Sequence, residues 1–300
     1  MISGLAITPP ILGRISIGKI VERNGQRLPQ KDDEFTITTQ TQGKDGWVLH
    51  PLDSQLREAS ASEKLRTIPV TLLFSEPELN LRAEYAMFDR KTGRPLCTGD
   101  GQSCQRATDE GLKRLDCPSP QHCEFGKSGL CKAYGRLNVQ LGDQKDVGTF
   151  IFRTTGFNSI RSLFARMLYY KAASNNLLPF LPLQLKLRSK STTLSHRAPV
   201  YYVDLELRDD MGMDKAIAHA QEAKASLEAS GFNQSALDSA GAQGFANGIF
   251  EEDEQEIQDV LEEFYPITEG EPKTSNRQET LTQPTVKLRE RIAQHKPKQL

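Results

Sequence analysis

The sequence lacks most of what marks a membrane protein or a familiar enzyme. No apolar run in its 300 residues approaches the ~20 residues that a membrane helix needs. The opening stretch, MISGLAITPPILGR, has neither a charged leader nor an unbroken apolar segment, because Pro9 and Pro10 interrupt it. The expectation is a cytoplasmic protein without a secretory signal and with no membrane contact. No glycine-rich phosphate loop, G-x-S-x-G elbow or H-E-x-x-H helix occurs, so none of those chemistries is indicated. The five histidines, His50, His122, His196, His219 and His295, are scattered. A hydrophobic fraction of 37% allows only a modest core, which leaves part of the chain to stay unpacked. No internal repeat is found.

Cysteine is present, and it is clustered. Cys117, Cys123 and Cys131 fall in LDCPSPQHCEFGKSGLCKAYGRL, a turn-rich stretch with little apolar content, and Cys97 and Cys104 lie upstream. Where thiols stay reduced, such clusters bind metals or do chemistry more often than they form disulfides. A segment this poor in apolar residues needs something else to order it. The reading takes Cys97, Cys117, Cys123 and Cys131 as ligands of a structural zinc ion, in a knuckle-like insertion. The spacings depart from the tight C-x2-C hairpin, so the motif is only moderately specific. Free structural thiols are the second reading, and an iron–sulfur cluster, which four thiolates also suit, ranks third. Cys104 is set aside as the surplus thiol, and His122 stands as a substitute ligand. A closed four-thiolate site has no open coordination position for catalysis. The rival enzyme reading is a metal-dependent hydrolase using Asp100, His50 or His122 with an exchangeable ion.

The net charge of −1 conceals a strongly bipolar chain. From Phe125 to Val200 twelve Lys and Arg face two Asp, whereas from Tyr201 to Phe264 sixteen Asp and Glu face three Lys and Arg. The basic part is interleaved with aromatics, a pattern that suits phosphates and unpaired bases. Arg136, Arg153, Arg161, Arg166, Lys186, Arg188 and Arg197 are the candidate nucleic-acid contacts. The acidic segment 251–264 suits a basic partner or an intramolecular shield over the basic surface.

Periodicity gives an α+β protein, mostly antiparallel strands with one or two packed helices, the cysteine-rich insertion and a partly disordered C-terminal tail. GRISIGKIV alternates before the turn pair Asn24-Gly25, and Leu79, Leu81, Ala83, Tyr85 and Met87 keep a period of two. RKTGRPLCTGDGQSC reads as loop, and YGRLNVQLG with VGTFIFRTTG as strands paired around a turn at Gly142–Asp146. Ile160, Leu163, Phe164, Met167 and Leu168 make the apolar stripe of a helix that Asn158 or Ser159 would cap. The organisation is then a β-rich part over 13–96, the cysteine-rich insertion over 97–133, an α+β part completing the core over 134–230, and linker, acidic helix and tail over 231–300. Within the last, GFNQSALDSAGAQGFANG reads as linker.

Several of these stretches also carry a likeness. GRISIGKIVERNGQRLPQKDDEFTITT, then GRPLCTGDG, Cys117-Pro118, Cys123, CKAYGRLNVQL and FIFRTTGFNSIRSL occur in an order that resembles the phage recombination directionality factor-like family, from about Gly13 to Leu207. The resemblance implies a non-enzymatic accessory factor of a phage or mobile element. Such a factor binds a site-specific recombinase or its DNA complex and shifts which synapse is favoured, by differential affinity for one conformation. Family members are often described as hydrolase or metal-binding proteins. A single-stranded DNA-binding or annealing protein is the alternative within the binding class.

Overall fold

Alternation in the first long strand puts Ile15 and Ile17 on one side and Arg14 and Ser16 on the other, and the computed structural model follows that division through the sheet. It describes residues 4–5, 8–23, 26–43, 46–60, 62, 64–126, 130–142, 147–191, 193, 197, 199–209, 211–246, 248–250, 260–261 and 264. Side chains are described for these residues except 4–5, 19–23, 26–31 and 248–250. Residues 1–266 form one compact unit. The expected tail beyond it, and the turns at Asn24-Gly25 and 143–146, lie outside the described residues.

The elements run β1 (Gly4–Leu5), β2 (Ile11–Arg23), β3 (Gln26–Gly43), β4 (Gly46–Leu49), α1 (Pro51–Ala59), β5 (Thr67–Thr71), α2 (Pro77–Asn80) and β6 (Leu81–Phe88). Three short strands follow, β7 (Pro95–Gly99), β8 (Ser103–Thr108) and β9 (Gly111–Asp116), and then the cysteine loop. The chain continues as β10 (Lys132–Leu141), β11 (Thr149–Thr154), α3 (Phe157–Ala173), β12 (Leu183–Ser191) and β13 (Pro199–Leu207), with a 3-10 turn at Leu178–Phe180. It ends in α4 (Met213–Ala229), α5 (Gln234–Ala246) and β14 (Gly248–Phe250), which pairs in parallel with β1.

The main sheet has the order β4-β3-β2-β11-β10-β6-β7-β8-β9, antiparallel except where β2 meets β11. β10 also joins a second set of strands. Its last residues, Gln140 and Leu141, pair with Thr71 and Val70 of β5, which pairs with β12 and through it β13. Helix α3 closes the angle between the two sets. Ile160 lies on β10 so closely that a Cβ at Gly135 would stand 2.8 Å from Ile160 Cγ1. At the same helix end Ser159 Oγ accepts a 3.0 Å hydrogen bond from Val203 N of β13. Ile15, Phe35, Ile37, Leu137, Phe150, Phe152, Leu163, Met167 and Leu185 meet in the resulting core.

Several expectations need correcting. The stretch read as glycine-rich loop forms β7, and Ser103 and Cys104 open β8. Polar strands suffice here because they extend an existing sheet from β6 and need no core of their own. The stretch read as linker contains α5, held by Phe245 and Leu237 packing on Leu73 and Phe74. α3 has Gly156 at its N-cap with no side-chain cap, since Ser159 is spent on β13. Leu168, expected in its buried stripe, is exposed. Leu79, expected in the strand, belongs to α2.

Gly135→Val is expected to lower the unfolding free energy by about 1–3 kcal/mol by overpacking against Ile160. Thermal melting reads the drop, and an unchanged Tm would show that α3 does not bear on β10.

Candidate metal centre and charged surfaces

The strand register sets the thiols. Met87 pairs with Cys97, Cys97 with Arg106, and Gly99 with Cys104, so Cys97, Cys104 and Arg106 share one face of the sheet extension. The loop after β9 folds back over that face. Cys117 N donates to Gln102 O at 2.9 Å, which pins the Cys117 thiol above Gly99. A Cβ at Gly99 would stand 2.9 Å from Cys117 Sγ, so only glycine allows the approach. Further on, a Cβ at Gly126 would lie 3.3 Å from Cys131 Cβ and 3.4 Å from Cys123 Cβ, which places both residues close against one glycine. All five thiols are free. The structure thus brings the four predicted ligands, and Cys104, into one patch.

Electrostatics within the patch separate the thiols. Burial pushes Cys131 up to about 11, and the neighbouring Cys97, Cys117 and Cys123 add to it. Cys104 is also pushed up to about 11, by burial and by its hydrogen bond with Cys97, and its Sγ donates to Asp116 O at 3.7 Å. Burial alone would raise Cys123 as well. Backbone N–H groups of Gly126 and Phe125 and the Arg106 guanidinium outweigh it and hold the thiol below its ordinary value. Arg106 Nη2 donates to Cys123 Sγ at 3.5 Å while its guanidinium lies over the Phe125 ring at 4.3 Å. Among the described residues, no three or more His, Cys, Asp or Glu side chains are gathered at metal-holding distance.

The three residues of the hydrolase reading are not assembled. Asp100 accepts from Gln102 N and Ser103 N, both at 2.7 Å, and so closes its own turn. His50 caps α1 through Nδ1, which accepts from Leu52 N at 3.2 Å. His50 packs edge-on against Phe150 of β11, whereas Asp100 follows β7, three strands further along the sheet order. His122 is exposed in the cysteine loop.

The seven basic candidates divide three ways. Arg136 and Arg153 lie inside the fold, at 3% and 8% exposure, opposite one another on β10 and β11. Arg166, Lys186 and Arg188 are held by acidic residues of β13 and just beyond it. Lys186 reaches Glu206 at 3.3 Å and Asp209 at 3.1 Å, and Arg188 pairs with both Asp204 and Glu206. Arg161 and Arg197 are exposed, the latter at a φ of 63°.

The Gp3-like family, described as recombination directionality factor-like, matches residues 12–208. The chain belongs to this family. No curated protein and no solved structure matches it. The part shared with the family includes the thiol patch and all the strands from β2 to β13; α4, α5 and the segment carrying Val260 and Phe264 lie beyond it. Among the described residues no helix is long and apolar enough to cross a membrane.

Sequence reasoning missed Arg106, Gly99 and Gly126. Arg106 had a signal, since it stands two residues from Cys104 in a strand and so on the same face. The glycines had none, because their role is set by what packs over them.

Within the family-matched part, Asp204 is a carboxylate with several partners. It is buried and accepts from Ser162 Oγ at 2.6 Å, Leu205 N at 3.0 Å, Arg188 Nε at 3.1 Å and Arg166 Nε at 3.2 Å. Burial alone would raise its carboxyl, but the bonds from Arg166 and Ser162 outweigh that and hold it low. A carboxyl lowered on folding stabilises the protein above the unfolded value near 4, and that stability is lost as pH falls through the folded value. Asp204→Asn is expected to cost about 1–3 kcal/mol at neutral pH and to flatten the acid limb of Tm against pH. Melts between about pH 7 and 3 check this; an acid limb identical to the wild type's would assign the acid sensitivity elsewhere.

Proposed function

We propose that this chain is a non-enzymatic, zinc-binding accessory protein of a phage or mobile element, which acts in DNA recombination by contacting a recombinase, its DNA, or both. The family match over residues 12–208 carries the reading. Setting direction needs no bond chemistry from the accessory protein. It needs tighter binding to one arrangement of the recombinase–DNA complex, and a hundredfold preference corresponds to about 2.7 kcal/mol.

Cys97, Cys117, Cys123 and Cys131 are the proposed zinc ligands. Cys131 interacts electrostatically with each of the other three, and Cys104 is satisfied by Cys97 and the Asp116 carbonyl. The N–H groups of Phe125 and Gly126 aimed at Cys123 support a thiolate there. Arg106 is the proposed positioning residue: zinc with four thiolates carries a double negative charge, and a guanidinium beside it offsets that charge. When bound, the metal would order the loop as a closed structural site. DNA contact would fall to the exposed Arg161 and Arg197, with Arg166, Lys186 and Arg188 contributing where their carboxylate partners yield.

Metal analysis of the purified protein is expected to find one zinc per chain, lost in Cys117→Ser and in Cys131→Ser and retained in Cys104→Ser. Iron with visible absorbance would replace zinc by a cluster, and metal-free folded protein would end the metal reading. In a plasmid assay with the recombinase of the same element, adding the protein should shift products from integration to excision. An unchanged product ratio would overturn the directionality role. Duplex binding that falls steeply with salt supports phosphate contact, and a preference for single strands would turn the reading to annealing.

A further inference from the structure

On β6, β10 and β11 the register sets Arg82, Arg136 and Arg153 in one row across three adjacent strands. Arg14 of β2 lies on the same face, opposite Ile151. Like charges opposite one another on a sheet repel, and Glu84 is the one carboxylate in the sequences of those three strands. It accepts from Arg136 Nη2 at 2.8 Å. Such a row belongs on a surface, yet Arg136 and Arg153 are buried.

Part of the cover comes from beyond the family-matched residues. The Arg82 guanidinium lies over the Phe245 ring at 4.7 Å. Val260 and Phe264 are fully buried on Ala86, Phe88 and Tyr134, the residues that continue the same face. The Phe264 ring stands edge-on to Phe88 at 4.6 Å and to Tyr134 at 5.2 Å, and Lys132 Nζ donates to Phe264 O at 2.6 Å. Residues 251–264, which include these anchors, carry eight Asp and Glu and no Lys or Arg. Val260 and Phe264 are thus seated on the face that carries the guanidinium row, and the sequence around them is polyanionic.

We propose that the Arg82–Arg136–Arg153 row is a phosphate-binding face for duplex DNA, and that this chain's own C-terminal segment, anchored by Val260 and Phe264, competes with DNA for it. The inference rests on the DNA-contact reading above and adds a specific face and a built-in competitor. The face lies in the part shared with the family and the anchors lie outside it, so the competition belongs to this chain and need not occur across the family.

The test uses the full chain with two separate changes. One replaces the anchors, Val260→Ser with Phe264→Ser; the other converts the eight acidic residues of 251–263 to amides and leaves the anchors in place, which spares the packing. Circular dichroism and Tm confirm folding. Both variants are expected to bind a short duplex about tenfold or more tighter than wild type at ~50 mM salt, with a steeper salt dependence. Adding Arg136→Gln should remove the gain. Phenylglyoxal labelling of Arg82, Arg136 and Arg153, read by mass spectrometry, should rise in the anchor variant. Unchanged labelling overturns the cover whatever the DNA result. Increased labelling without a gain for duplex, or a gain only for a poly-glutamate peptide, overturns the DNA assignment of the face. Wild type that binds duplex while neither variant gains leaves the DNA reading standing and this inference overturned; absence of binding by all three ends both.

Discussion

The pairing of β10 with β6 on one side and β11 on the other decides which chemistry faces where. Lys132, Tyr134 and Arg136 point one way and Ala133, Gly135 and Leu137 the other, and the partners repeat the division. A slip of one residue would send Arg136 under α3 and Leu137 to the guanidinium face. Two close contacts hold the register against that slip. Gly135 admits Ile160 at a distance no side chain allows, and Leu137 is fully buried in the core. Because the end of β10 also pairs with β5, the same strand ties the second set of strands to the first.

Charge is arranged by the same pairing. The basic-to-acidic change between Val200 and Tyr201 falls within β13, and the turn back from β12 lays Asp204 and Glu206 beside Lys186 and Arg188. Much of the basic surplus read from the sequence is therefore consumed inside the fold. Exposed pairs of this kind contribute little each. Asp204 differs, since it is buried and joins β13 to α3 through Ser162 and Arg166 and to β12 through Arg188.

What was legible in the sequence follows from how far each signal reaches. β2, β10, β11 and α3 were readable because period-two and period-3.6 patterns are local, and their buried residues, Ile15, Leu137, Phe150 and Leu163 among them, are the pattern itself. α5 was not readable: its Gly- and Ser-containing sequence has a weak apolar stripe, and it is held by Phe245 on Phe74, a contact spanning most of the chain. The strands β7 to β9 were hidden by glycines and turn residues, which mark their turns but do not exclude the strands between. The cysteines were legible as a group because they are close in sequence with few apolar residues between them, although Cys97 and Cys104 lie on β7 and β8 and not in a loop. Arg136 and Arg153 were assigned to the surface by residue type, a rule that fails here because both are buried, at adjoining positions on β10 and β11.

The two faces meet at one peptide bond. Cys131 belongs to the thiol patch and Lys132, the next residue, donates to the backbone of Phe264 on the opposite side. Alternation makes this unavoidable, because consecutive residues entering a strand must point to opposite faces. Whatever fixes Cys131 therefore also fixes where β10 begins, and with it the pairing of Lys132 with Ala86 that positions the floor beneath Phe264. A metal held by the four thiolates would act on the guanidinium face only through that strand, by holding its register, and no path through the core is required. The proposed zinc and the C-terminal anchor are in this sense two supports for the same strand, one inside the part shared with the family and one added beyond it.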